Sequence, residues 1–186
     1  IANMTVIAPC DAHEARKATV AAASLPGPVY IRLAREKTPV FTTPETLFEV
    51  GKAYEVWRSK DAPQAAIVGC GSLVHNAILA AAELEKEGVG AVVINNHTIK
   101  PMDEEVIVSA AKETGAVVTV EEHQVMGGMG SAVAEILARA YPVPMEFVGV
   151  QNQFGESGDP AELVEHFGMG VSSIVEAVRK VIQRKK

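Results

Sequence analysis

Four short apolar runs, Ala65–Cys70, Gly90–Asn95, Ala116–Val120 and Met145–Val150, constrain this chain more than anything else in it. Most are nearly continuous rather than alternating, which marks strands covered on both faces. Between and after them lie Leu73–Glu87, Asp103–Glu113, Met129–Ala140, Ala161–His166 and Val171–Ile182, whose apolar residues recur at spacings of three and four and predict helices. Pro101 and Asp103 suit a helix start, while Ser131 lies just inside its helix. Right-handed crossovers between such elements give an α/β domain over residues 65–186: an open, mostly parallel twisted sheet with helices on both faces.

The front of the chain is different. Residues 1–44 predict a strand at Met4–Ala8, a helix from Asp11 to about Ser24 and a strand at Val29–Leu33, with Pro26-Gly27-Pro28 ending the helix. Asp11 and Glu14 have capping-box spacing. One helix between two strands cannot cover a two-faced sheet, so this block reads as part of an α/β domain. Its partners come from missing sequence, another chain or the second block. Residues 45–64 read as a linker, with a short strand at Ala53–Trp57 whose bulky side chains pack against the second block.

The charge balance, 17 basic against 23 acidic residues, has no long basic patch and argues against nucleic acid. No apolar run is long enough for a membrane helix. Cys10 and Cys70 form no metal or redox pattern, and Ile1-Ala2-Asn3 lacks the basic start of a signal peptide, so a cytoplasmic location is expected. The chain begins without an initiator methionine, as expected of a processed, cleaved or partial sequence.

Candidate chemistry gathers at the ends of the strands, which can converge on one crevice. Glu121, Glu122 and His123 could relay protons or bind an anion; they equally could form a hydrogen-bond cluster fixing a loop and a subunit contact. Gly127 and Gly128 allow close approach of another chain but lack a Walker lysine. Gly69-Cys70-Gly71-Ser72 is either an anion-receiving helix start or a tight turn with a serine cap; it is not a nucleophile elbow. His97 and Gln151-Asn152-Gln153 sit at other strand ends, His13 falls on a helix surface, and His166 is placed to contact a helix C-terminus near Gly168. Arg35, just past a strand, could clamp a phosphate or simply pair with Glu36.

The strings Asn3-Met4-Thr5-Val6-Ile7-Ala8-Pro9-Cys10-Asp11, Gly27-Pro28-Val29-Tyr30-Ile31-Arg32-Leu33-Ala34-Arg35-Glu36-Lys37-Thr38-Pro39, Thr98-Ile99-Lys100-Pro101-Met102-Asp103 and Glu121 to Gly130 occur in that order. Together they resemble the C-terminal part of transketolase, including the separately encoded C-terminal subunits of some bacteria and archaea. The resemblance implies that residues 1–44 end a pyrimidine-binding domain and that residues 65–186 form the transketolase C-terminal domain. It implies an enzyme that moves a two-carbon ketol unit between sugar phosphates, using thiamine diphosphate and Mg2+ held by the other domains or an N-terminal subunit, and working as a homo-oligomer, expected to be a dimer. Arg35 matches the family arginine that binds the substrate phosphate; no catalytic, cofactor or metal residue carries over, and this chain alone is expected to be inactive. Deoxyxylulose-phosphate synthase and the β subunit of 2-oxoacid dehydrogenases share the domain order, but Leu33-Ala34-Arg35-Glu36-Lys37-Thr38-Pro39 favours transketolase. A non-catalytic assembly or regulatory module is the remaining alternative.

Overall fold

A computed structural model describes residues 1–185, and Lys186, the last residue of the second block, lies outside them. The elements are β1 (Thr5–Ile7), α1 (Ala12–Ala22), β2 (Val29–Ile31), β3 (Tyr54–Arg58), β4 (Ala65–Gly69), α2 (Val74–Lys86), β5 (Ala91–Asn95), β6 (Thr98–Lys100), α3 (Glu104–Thr114), β7 (Val117–Gln124), α4 (Met129–Ala140), β8 (Met145–Val150), α5 (Pro160–His166) and α6 (Val171–Gln183).

The larger sheet has the order β3-β5-β4-β7-β8. All its neighbours are parallel except β3, which runs antiparallel along β5. Every residue of β4 and β5 is buried. The period of two shows why these strands carry almost no polar residue. Ala65 and Ile67 face a cluster with Ala77, Ala81 and Leu84 of α2 and Ile174 and Val178 of α6. Ala66 and Val68 face Ile107 and Ala111 of α3 and Val133 and Leu137 of α4 on the other side. The expected short strand in the connector is β3, displaced by one residue, with Val56 and Trp57 packed on the first of these clusters.

The front block builds a second, three-stranded sheet, β2-β1-β6. β1 and β2 are parallel, with Thr5 opposite Val29 and Ile7 opposite Ile31. β6 was not foreseen: Thr98–Lys100 looked like loop beside Pro101, yet it pairs antiparallel with β1. Of the three sources considered for this partner, the second block supplies it.

Several boundaries move for local reasons. Asp103 is the cap of α3 rather than its first residue, accepting from Val106 N at 3.3 Å, and Gly115 at φ 67° closes the helix. The helix expected from Leu73 begins as a 3-10 turn, Gly71–Leu73, and Ser72 caps nothing: its Oγ donates to Glu122 instead. His166 is the last residue of its helix, but its ring turns to the Glu156 carboxylate, 3.5 Å away, and Gly168 N closes the turn on Glu165 O. β7 runs past Val120 to Gln124. Val120 pairs with Val148 and Gln124 with Val150, so Glu121, Glu122 and His123 bulge opposite Gly149. On the outer side of β8, Gln151 Nε2 donates to Phe147 O and Gly149 O, each at 3.1 Å, and Arg184 Nη1 donates to Met145 O at 2.6 Å.

Candidate functional site

The bulge in β7 sends its three polar residues to different places. Glu121 turns inward and is 2% exposed. Its two oxygens accept from Met129 N at 2.7 Å and Gly130 N at 2.8 Å, the first free amides of α4. Burial pushes its carboxyl above the usual range, while those two amides and the charges of His123 and Arg32 pull the other way. The positive end of α4 is thus filled by the chain's own carboxylate and is not open to an external anion.

The glycines follow from this. A Cβ on Gly128 would stand 2.3 Å from Glu121 Oε2 and 2.4 Å from Gln124 O, and one on Gly130 would stand 2.5 Å from Thr119 Oγ1. Gly127 holds φ 78°, and its N–H donates to Ser131 Oγ, which in turn donates to Val125 O. Gly128→Ala is therefore expected to cost about 2 kcal/mol, seen as a fall in thermal midpoint of about 4–8 °C by calorimetry. An unchanged midpoint would mean the carboxylate can sit elsewhere.

Glu122 and His123 point outward. Glu122 accepts from Ser72 Oγ at 2.8 Å, and its backbone carbonyl accepts from the Arg32 guanidinium. His123 Nδ1 donates to Gln124 O at 2.9 Å and stands 3.9 Å from Glu121. Gln124 Nε2 donates to Gln153 O at 2.6 Å. The ends of β2, β4 and β7 are drawn together by hydrogen bonds rather than arranged around an open crevice. Two surface hollows lie elsewhere, one on α3 beside Glu105 and Lys112 and one between α4 and β8. Arg35 is 94% exposed, with Nε 3.1 Å from Glu36 Oε1; the local ion pair is the arrangement this chain shows.

A second polar group joins the two sheets, and the sequence reading missed it. Glu14, expected as an ordinary capping residue, is buried. It accepts from Cys10 N at 2.6 Å, Asn95 Nδ2 at 2.8 Å and the Tyr54 hydroxyl at 2.9 Å. Burial raises its carboxyl despite these donors, and burial together with the Glu14 charge raises Tyr54 and Cys10. Cys70 is pushed up to about 12, by burial first and then by Glu121, so both thiols stay protonated and inert near neutral pH. His97 is fully buried, stacked on Phe48 with ring centres 4.3 Å apart, and Nδ1 is 2.9 Å from Thr98 Oγ1. Asp11 caps α1 through Glu14 N and also accepts from Phe41 N, Thr42 N and Thr42 Oγ1. The signal for this group was weak, because its members come from four separate segments.

Among the described residues no three His, Cys, Asp or Glu side chains converge on one point.

Comparison with known proteins decides the family. The family model described as the transketolase C-terminal domain matches residues 54–174. The chain belongs to the transketolase family. It is 43% identical over 185 residues to a 6-deoxy-6-sulfo-D-fructose transketolase subunit of Clostridium sp., covering 100% of this chain and 56% of that protein. It is 34% identical to a putative transketolase C-terminal section of Methanocaldococcus jannaschii, covering 100% of this chain and 58% of the relative. A solved split-gene transketolase, described as an inactive β4 tetramer, superposes with a TM-score of 0.93 at 43% identity, over 99% of this chain and 59% of that one. The chain thus spans little more than half of these transketolase relatives, and its fold is that of the transketolase C-terminal domain.

Proposed function

We propose that this chain is the C-terminal section of a transketolase that moves a two-carbon ketol unit from a ketose phosphate to an aldose phosphate. The observation that carries this reading is end-to-end coverage of the chain by relatives named as separate transketolase subunits or sections. In this reading residues 1–44 finish the pyrimidine-binding domain, residues 45–64 link, and residues 65–186 are the C-terminal domain. Thiamine diphosphate and Mg2+ belong to the remaining domains or to an N-terminal subunit, in the cytoplasm. Arg35 supplies the guanidinium that takes the sugar phosphate, which its exposure and strand-end position support. Glu121, Gly127 and Gly128 serve the loop before α4; the exposed face of Glu122 and His123 is open to a neighbouring domain. The section self-associates; a dimer is the smallest form, and the similar β4 assembly favours four copies.

This 186-residue chain alone is expected to be inactive, because this reading assigns the cofactor-binding residues to the remaining domains or an N-terminal subunit. Calorimetry with thiamine diphosphate and Mg2+, and turnover with a ketose phosphate and an aldose phosphate, check this. The chain alone should give neither signal, and mixing with the matching N-terminal section should restore both. Micromolar cofactor binding by the chain alone would overturn the reading.

A further inference from the structure

Arg35 lies on a loop that leaves β2 at Ile31 and returns to the body of the protein at Phe41. The loop is fastened at its two ends. At the far end, Asp11 accepts from Phe41 N at 3.0 Å and from Thr42 N and Thr42 Oγ1, each at 2.7 Å. At the near end, Arg32 N donates to Ile7 O at 2.8 Å, which extends the ladder of the small sheet by one bond. The Arg32 side chain then crosses to the larger sheet. Its Nη2 donates to the carbonyl of Glu122 and stands 4.0 Å from the Glu122 carboxylate. The same carboxylate oxygen, Oε2, accepts from Ser72 Oγ at 2.8 Å. Glu122 itself sits in the β7 bulge, next to the buried cap Glu121.

A half-exposed ion pair of this kind contributes little to stability. Its effect is geometric. A guanidinium that donates across two sheets fixes where β2 ends relative to β4 and β7. Arg35 follows three positions later on a loop whose residues 33–37 are all exposed. A fork that must meet a phosphate with two parallel hydrogen bonds is sensitive to shifts of about 1 Å.

We infer that Arg32, braced by Glu122 and Ser72, is a positioning residue that sets where the loop presents Arg35 to the sugar phosphate. The inference rests on the reading of Arg35 as the phosphate-binding residue. The test uses the complete enzyme and reads one ratio, the KM for an aldose phosphate over the KM for the same aldose without phosphate. Arg35→Ala should raise the KM for the phosphorylated sugar selectively. Arg32→Met should move the ratio in the same direction by about tenfold. Arg32→Lys, which keeps a donor for the Glu122 carbonyl, should recover most of it. In the Arg35→Ala background Arg32→Met should add nothing, as expected of two residues acting in series.

If Arg35→Ala leaves the ratio unmoved, the phosphate reading itself falls. If Arg35→Ala moves it and Arg32→Met does not, the brace alone is wrong. If Arg32→Met has its full effect in both backgrounds, Arg32 acts somewhere other than through Arg35, which also overturns the inference. Should Arg32→Met fail to assemble, Ser72→Ala is read in its place. A ratio shifted toward the Arg35→Ala value supports the brace, and an unmoved ratio refutes it.

Discussion

Glu121→Ala is expected to lower the thermal midpoint by about 6–12 °C, from a loss of about 3 kcal/mol. The substitution removes both oxygens that accept from Met129 N and Gly130 N, and those amides are left in buried surroundings at the positive end of α4. Hydrogen bonds to a charged acceptor are the stronger kind, and the helix dipole adds to them. Gly128 and Gly130, whose Cβ positions would meet the carboxylate, carry no side chain that could replace it. Glu121→Gln should recover less than half of the loss. It offers one oxygen where two amides each need one, and turns its NH2 against the second. Calorimetry of the three proteins checks this; a loss below about 1 kcal/mol for Glu121→Ala would show that the carboxylate is not the group that closes the helix.

The second large effect is acid destabilisation through His97. Burial pushes its imidazole down to about 4 from an ordinary 6.5. A histidine that is harder to protonate in the folded protein than in the unfolded chain favours folding above its unfolded pKa. That advantage falls away as the pH drops through the window from about 6.5 to about 4, and the total is on the order of 3 kcal/mol. The buried acids Glu14 and Glu121 act with the opposite sign. Their folded pKa values are raised, so their contribution is full below the ordinary carboxylate range and is lost as the pH rises through the folded values. The comparison is therefore made against His97→Phe, which keeps an aromatic ring against Phe48, removes the titrating group, and loses the contact to Thr98 Oγ1 equally at every pH. The stability difference between the two proteins should change in favour of the variant as the pH falls through that window. Parallel pH profiles would show that His97 is reached by solvent before it is protonated.

The larger sheet was readable because its physics is local and periodic. β4 and β5 are buried on both faces, so the runs Ala65–Gly69 and Ala91–Ile94 are apolar throughout, with Asn95 as the polar end of β5, and the helices between them repeat at the helical period. β6 was not readable, since three residues beside Pro101 carry no strand signal and owe their conformation to β1, far away in sequence. The candidate site divides in the same way. Glu121 stood out as a relay, an anion site or a loop-fixing cluster, and Gly127 and Gly128 as room for another chain; the room at Gly128 is taken instead by the chain's own Glu121 carboxylate. Glu14 looked like an ordinary cap because a capping box is defined within one turn. Its burial depends on Tyr54 and Asn95, which no local pattern connects to it. Arg32 drew little notice for the same reason: its partner Glu122 is 90 positions away.

Two of the four sheet edges, β8 and β2, differ in what they leave available. Along β8, the outward carbonyls of Met145, Phe147 and Gly149 are already covered by Arg184 and Gln151. A foreign strand would have to displace both side chains before it could zip on there, so this border resists the runaway stacking that open sheets invite. β2 has β1 on one side only, and its other side meets no strand among the described residues. Of these two borders, the one at β2 is where further polypeptide can be added without first undoing something.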